Sequence, residues 1–265
     1  MNTGITKAQL KLSKKLVTHC KTIRYDGAFS EDESFVVKEI RHKIHINGEL
    51  FASAMLIPDQ QKEFTYGFLF TSGIINGVDD VVNYRICENY NIYVYLKDPR
   101  PLATKYTWTI TSGCGNGKIL DKTYDDIKTI DSVFKISAAD ILYHFKVMEK
   151  ESDLYSATRC AHKAYFVNTE GEVITSDDIG RHNTIDKIIG YILLNILSSD
   201  GVLISTGRLT SEMILKCIRA KIPIVVSRTA PSKFGIDLAK KSNMTLVGLT
   251  NRNSFTIFHD PGRIR

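Results

Sequence analysis

Cysteine is scarce in this 265-residue chain, and its placement forms no pattern. The five residues Cys20, Cys87, Cys114, Cys160 and Cys217 are odd in number and scattered, with no CxxC pair. A disulfide framework is not expected, and a reducing cytoplasm fits better. No HxxxH-type cluster occurs either, so a tetrahedral zinc site finds little support and no metal is assigned. Long apolar runs are also missing. The longest uncharged one, Ile188 to Ser199, is twelve residues, too short to span a bilayer, and MNTGITKAQLKLSKKL lacks the apolar core of a signal peptide. No strong excess of one charge is present. Lys+Arg 35 against Asp+Glu 29 leaves +6, which suits an anionic ligand but does not point to nucleic acid. Repeats, low-complexity tracts, GxGxxG and P-loop fingerprints are absent. What remains is ordinary globular usage, 43% hydrophobic and 24% charged, which excludes disorder, collagen and coiled coil for the whole chain.

Patterning divides the chain. Residues 1–34 read as a polar N-terminal arm with short strand character, 35–124 as a β-rich domain and 125–265 as an α/β domain. In the second, Asn47-Gly48 between alternating residues predicts a hairpin with a type I′ turn. Pro58-Asp59 opens a helix with Phe64, Phe68 and Leu69 on one face, ended by Gly73 or Gly77. Residues 91–96 and 104–111 are β-rich, the latter running into the glycine-laced loop Ser112-Gly-Cys114-Gly-Asn-Gly-Lys118. Further on, Ser137-Ala-Ala-Asp140 predicts a capping box, and 162–168 and 172–176 a strand pair. A helix with apolar positions Ile185, Ile188, Ile189, Ile192, Leu193 and Ile196 follows, with Asn183 as its N-cap and Asp186 at N3. The last third alternates strand and helix: strands at 202–205, 222–227 and 244–249, then a final antiparallel strand. This predicts a parallel core covered on both faces.

In open α/β sheets ligands bind beyond the carboxyl ends of the strands. Here those ends carry Thr206-Gly207-Arg208, Ser227-Arg228-Thr229 and Thr250-Asn251-Arg252-Asn253, and Gly180-Arg181-His182-Asn183 precedes the long helix. Four arginines beside small polar residues would grip an anion bearing several charges, with helix N-termini nearby. Taken singly, each arginine also reads as a solvated surface residue. Cys114, between two glycines and near Lys118, is the candidate reactive thiol, against the alternative of an incidental loop cysteine. Cys217 falls on an apolar helical face with Met213 and Ile214. Cys160 and His162 share a face if their segment is a strand.

Asp178-Ile-Gly-Arg-His-Asn-Thr-Ile-Asp-Lys187 before an apolar helix resembles the signature of the FdhD family. Thr158-x-Cys160-x-His162, Val202-Leu-Ile-Ser-x-x-Arg208 with Ser211-Glu212-Met213, Leu246-Val-Gly248 and the C-terminal Thr256-Ile-Phe-x-x-Pro261-x-Arg263 extend the likeness over residues 35–264. The resemblance implies a cytoplasmic sulfurtransferase required for formate dehydrogenase, with a cytidine-deaminase-like three-layer α/β domain lacking that fold's zinc ligands. A cysteine desulfurase would load a cysteine as a persulfide. Its sulfur would pass to the molybdenum or tungsten bis(molybdopterin guanine dinucleotide) cofactor, bound as substrate. The family's persulfide loop aligns on Cys114 and its cofactor stretch on Leu249, Thr250, Asn251, Arg252, Asn253 and Ser254. Arg181, His182, Arg208 and Arg228 would complete the cofactor pocket. The family loop usually carries CxxC, whereas here it reads Cys114-Gly-Asn-Gly117; a persulfide needs only one sulfur.

Two other readings stand beside the carrier. One is a non-catalytic chaperone that holds the cofactor for formate dehydrogenase, motivated by the missing second cysteine. The other is a thiol hydrolase pairing Cys114 with His162 or His182. Self-association as a homodimer is compatible with the sequence, and no interface is legible in it.

Overall fold

The computed structural model describes residues 14–98, 108–110, 118–120, 127–150 and 153–265. The chain begins with an antiparallel ribbon, β1 (Val17–Tyr25) and β2 (Phe29–Val37), so the stretch expected as a polar arm contains a regular strand pair. Strands β3 (Ile40–Ile46), β4 (Glu49–Leu56), β5 (Val81–Ile86) and β6 (Asn91–Leu96) form a four-stranded sheet in the order β4-β3-β6-β5. Asn47 and Gly48 both have positive φ, 50° and 90°, as a type I′ turn requires. Helix α1 (Gln61–Thr71) closes one face of this sheet: Phe64 and Leu69 meet Ile44, Ile46, Leu56, Ile92 and Val94. Gly73, at φ 77°, ends the helix by sending its N–H back to Phe70 O while Ile74 N donates to Leu69 O.

β7 (Trp108–Ile110) and β8 (Lys118–Leu120) pair antiparallel. The strand expected over 104–111 is described only within β7. The Cys114 loop lies outside the described residues.

The second large sheet has six strands: β9 (His162–Asn168), β10 (Val173–Asp178), β11 (Gly201–Ser205), β12 (Ile224–Ser227), β13 (Thr245–Gly248) and β14 (Thr256–His259). Their order is β10-β9-β11-β12-β13-β14. β11, β12 and β13 are parallel, and β14 is antiparallel, as the alternation implied. Successive residues along each strand point to opposite faces and sort into two cores. Phe166, Leu203, Val225 and Leu246 pack under α4 (Arg181–Leu194), α5 (Ser211–Arg219) and α6 (Lys233–Lys241). Tyr165, Val202, Ile204, Val226 and Val247 pack under α2 (Ala138–Lys150), through Ile141, Phe145 and Met148. A short helix, α3 (Asp153–Thr158), leads into β9. The protein is thus mixed α/β, with a three-layer α/β unit and a smaller β-rich part. Ser137 caps α2 as one half of the predicted box: its Oγ accepts Asp140 N–H at 3.0 Å, while its hydroxyl, not its backbone N–H, donates to Asp140 Oδ2 at 2.6 Å.

One expectation is corrected. Asn183 is not the N-cap of α4: the helix starts at Arg181, and Gly180 holds the cap position without a side-chain bond. The physical reason is Asp178, whose Oδ1 accepts Gly180 N–H at 3.0 Å and the Asn183 amide at 2.8 Å. Asp186, expected in the first turn, lies deeper and pairs with Lys216 at 2.7 Å.

The two parts meet where α1 crosses α4. A Cβ on Gly67 would lie 1.8 Å from Asp186 O, and one on Gly190 would lie 1.8 Å from Glu63 O, so only glycine lets the backbones approach this closely. Asp186 locks the crossing from the side, accepting from Thr71 Oγ1 and Lys216 Nζ, each at 2.7 Å.

Candidate functional site

β10 runs antiparallel to β9, which runs antiparallel to β11, so β10 and β11 point the same way. The carboxyl ends of β10, β11, β12 and β13 therefore share one edge of the sheet, together with the start of β9. Backbone bonds knit that edge laterally. Thr206 N donates to Lys163 O at 3.0 Å, Arg228 N to Ser205 O at 3.1 Å, Thr250 N to Ser227 O at 3.1 Å and Leu249 N to Thr229 O at 3.1 Å. Arg181, His182, Arg208, Arg228 and the 249–254 turn all sit on it.

At one end of the edge the groups are packed closely. Arg181 is buried, and its aliphatic stem lies over Gly207, where an added Cβ would come within 2.7 Å of Arg181 Cβ. Glycine at 207 is thus the space through which Arg181 passes. His182 Nε2 lies 2.7 Å from Oε2 of the buried Glu212, at the start of α5. His162, the first residue of β9, places Nδ1 3.2 Å from Thr206 Oγ1. Its pKa is held below the usual 6.5 by burial and then by the charges of Arg181, His182 and Arg208, with Asp178 acting the other way. Burial also lowers His182, against the pull of Glu212. Both imidazoles therefore favour the neutral form, while the guanidinium groups supply the positive charge. Arg208 itself is exposed.

Farther along, Arg228 and Arg252 flank one carboxylate: Glu149 Oε2 accepts from Arg252 Nε at 2.9 Å, and Oε1 is 4.0 Å from Arg228 Nη1. The turn after β13 starts with Leu249 at φ 53° and is built on Asn251, whose Oδ1 accepts the N–H groups of Asn253 (2.9 Å) and Ser254 (3.0 Å). Asn251 Nδ2 donates to Ser254 Oγ at 2.8 Å. Thr250 is buried between the β12 and β13 loops. In the neighbouring loop, Ser227 Oγ donates to Gly207 O at 2.7 Å and accepts Thr229 N–H at 3.0 Å.

The edge is supported from beneath by Asp178 and Lys187, both fully buried, 2.7 Å apart. Lys187 Nζ also donates to Asp177 O at 3.0 Å. Asp178 Oδ2 accepts Ile57 N–H at 3.3 Å, and Asn183 Nδ2 donates to Met55 O at 3.0 Å, so the end of β4 is tied to the start of α4. Asp178 thereby orients the Gly180-Arg181-His182 turn. The sequence reading gave no part in the site to Asp178, Lys187 or Glu149. Asp178 and Lys187 are the two ends of the segment that carries the family resemblance, and a lysine beside apolar helical positions is a further signal for the buried pair; Glu149 carries none.

Cys160 is exposed just before β9, two residues from His162, with its N–H on Thr158 Oγ1 at 3.3 Å. Cys217 is buried on α5, and burial pushes its thiol up to about 12. Among the described residues, no group of three or more His, Cys, Asp or Glu side chains is arranged to hold a metal ion, and no helix is long and apolar enough to cross a membrane.

Comparison with known proteins adds to this geometry. The sulfur carrier protein FdhD of Bacillus subtilis strain 168 is 33% identical over 249 residues, covering 91% of this chain and 95% of that protein. Its counterpart in Bacillus pumilus is 34% identical over 262 residues, covering 96% and 98%. A crystal structure from Desulfotalea psychrophila, presented as that of a candidate formate dehydrogenase accessory protein, superposes with a TM-score of 0.80 at 30% identity over 94% of this chain and all of that one. Residues 37–265 match the model of the FdhD/NarQ family, which takes in both large sheets and every loop of the arginine-lined edge, and it is to this family that the chain belongs.

Proposed function

We propose that this protein is a sulfur carrier serving formate dehydrogenase, and that it moves sulfur as a persulfide on Cys114 from a cysteine desulfurase to a bis(molybdopterin guanine dinucleotide) cofactor bound as substrate. The observation that carries the reading is the convergence of Arg181, Arg208, Arg228 and Arg252 on one sheet edge, in a chain whose relatives are named sulfur carrier proteins. Each dinucleotide half of such a cofactor has a pyrophosphate, and guanidinium groups grip phosphate oxygens in pairs. The N-terminus of α4, a 14-residue helix, adds its positive end at the same place.

In the loading step, the Cys114 thiolate attacks the outer sulfur of the desulfurase persulfide. A new S–S bond forms, the old one breaks, and the desulfurase cysteine leaves as thiolate. In delivery the outer sulfur leaves Cys114, which returns to thiolate, and the reduced metal of the cargo supplies the two electrons that convert it to sulfide. The chain's described residues bind and orient: arginines hold phosphates, and neutral His162 and His182 offer hydrogen bonds without adding charge. Compartment and metal follow the family expectation of a cytoplasmic protein handling molybdenum or tungsten.

The test is maturation of formate dehydrogenase in cells lacking their own carrier. The intact protein is expected to restore formate oxidation. Cys114→Ala is expected to fail while still binding guanosine diphosphate. Full restoration by Cys114→Ala would instead favour the cofactor-holding chaperone.

A further inference from the structure

Glu149 sits in the last turn of α2, on the sheet face opposite α4, and reaches the loops after β12 and β13. Its side chain is 18% exposed, whereas those of Arg228 and Arg252 are 53% and 71% exposed. The carboxylate is therefore the less exposed member, and both guanidinium groups lie within 4.0 Å of it. Its oxygens face Nε of Arg252 and Nη1 of Arg228, in the way that two oxygens of one phosphate would. The two guanidinium groups thus already share an anion that belongs to the chain itself.

We propose that Glu149 is a displaceable internal anion, which holds Arg228 and Arg252 in place in the free protein and competes with the phosphate groups of the cargo for them. This rests on the reading of the sheet edge as a phosphate-binding pocket. A carrier must release what it binds. A resident carboxylate keeps the arginines ordered before binding, lowers the affinity for an incoming diphosphate, and takes the arginines back as the cargo leaves, which speeds release. Phosphate can win the competition because it carries more charge than one carboxylate and because the arginine side of both pairs is largely solvated, which weakens them. Glu149 also sets a charge threshold: a monoanion offers the arginines nothing beyond what they already have.

The experiment is calorimetric titration of the full-length protein with guanosine diphosphate, for wild type, Glu149→Gln and the double variant Glu149→Gln/Arg252→Ala. Glu149→Gln is expected to bind about 2- to 30-fold more tightly, the range for releasing two pairs whose arginines are exposed. The gain should vanish in the double variant. Glu149→Asp, which withdraws the carboxylate by one methylene, is expected to tighten binding by a smaller factor and serves if the glutamine variant folds poorly. Unchanged or weaker binding by a folded Glu149→Gln, while wild type binds, overturns the proposal and leaves the pocket standing. Absence of binding by wild type overturns the pocket and this role of Glu149 together.

Discussion

Replacing Asp178 by Asn removes one charge and almost no volume from the support beneath the site. Asp178 and Lys187 are both fully buried and 2.7 Å apart, so the substitution leaves an ammonium group in the interior without its counter-ion. Breaking one side of a buried pair costs about 3–5 kcal/mol, far more than the pair contributes relative to an apolar replacement. Weaker acceptance from Gly180 N, Asn183 Nδ2 and Ile57 N adds to this, since an amide oxygen is a poorer acceptor than a carboxylate. At a urea slope of about 2–3 kcal/mol/M the midpoint should fall by roughly 1–2.5 M. Urea denaturation followed by circular dichroism reads this directly. Adding Lys187→Met to the Asp178→Asn background should recover more than half of the loss, because no uncompensated charge remains. A single-variant loss below about 1 kcal/mol, or a double variant no better than the single, would refute the assignment of Asp178 and Lys187 as a coupled buried pair.

Other outcomes follow from the same geometry. Gly190→Ala should force α1 and α4 apart, cost about 1–3 kcal/mol and lower the melting temperature by several degrees in calorimetry, whereas Gly77→Ala, in extended backbone with open space, should leave it unchanged. His42, His144, His162, His182 and His259 all have folded pKa values below 6.5, with burial as the first cause in each. The unfolded chain therefore binds more protons just below 6.5, and stability should be steady above that value and fall as pH drops towards about 5. Melting temperatures across that range check the sign, and His162→Gln should flatten the slope. Cys217 should resist alkylation in the folded protein and react only in denaturant, while Cys160 and Cys20 label readily; peptide mapping distinguishes them.

The parallel core was legible because its strands are continuous apolar runs and its helices repeat every three to four residues, both consequences of burial on a fixed geometry. Asn47-Gly48 was legible because few dipeptides accept two positive φ angles. The arginine-bearing loops could be placed together because strand direction alone sends their carboxyl ends to one edge. The helix start at Asn183 was misread because the cap depends on Asp178, five residues earlier and on another element. The Gly67–Gly190 crossing and the Glu149 contact with two arginines join residues far apart in the chain, and local spacing carries no trace of them; Asp178 and Lys187 are only nine residues apart, but spacing alone does not show that both turn inward and pair. The ribbon β1–β2 was only partly visible, since its exposed strands mix polar and apolar residues without a buried face.

The most direct measurement is peptide mass spectrometry of the protein after incubation with a cysteine desulfurase and cysteine. A gain of one sulfur on the peptide carrying Cys114 is expected. No gain there, with guanosine diphosphate binding intact, would contradict the carrier role and leave a cofactor-holding protein; a gain on Cys160 instead would move the carrier to the start of β9.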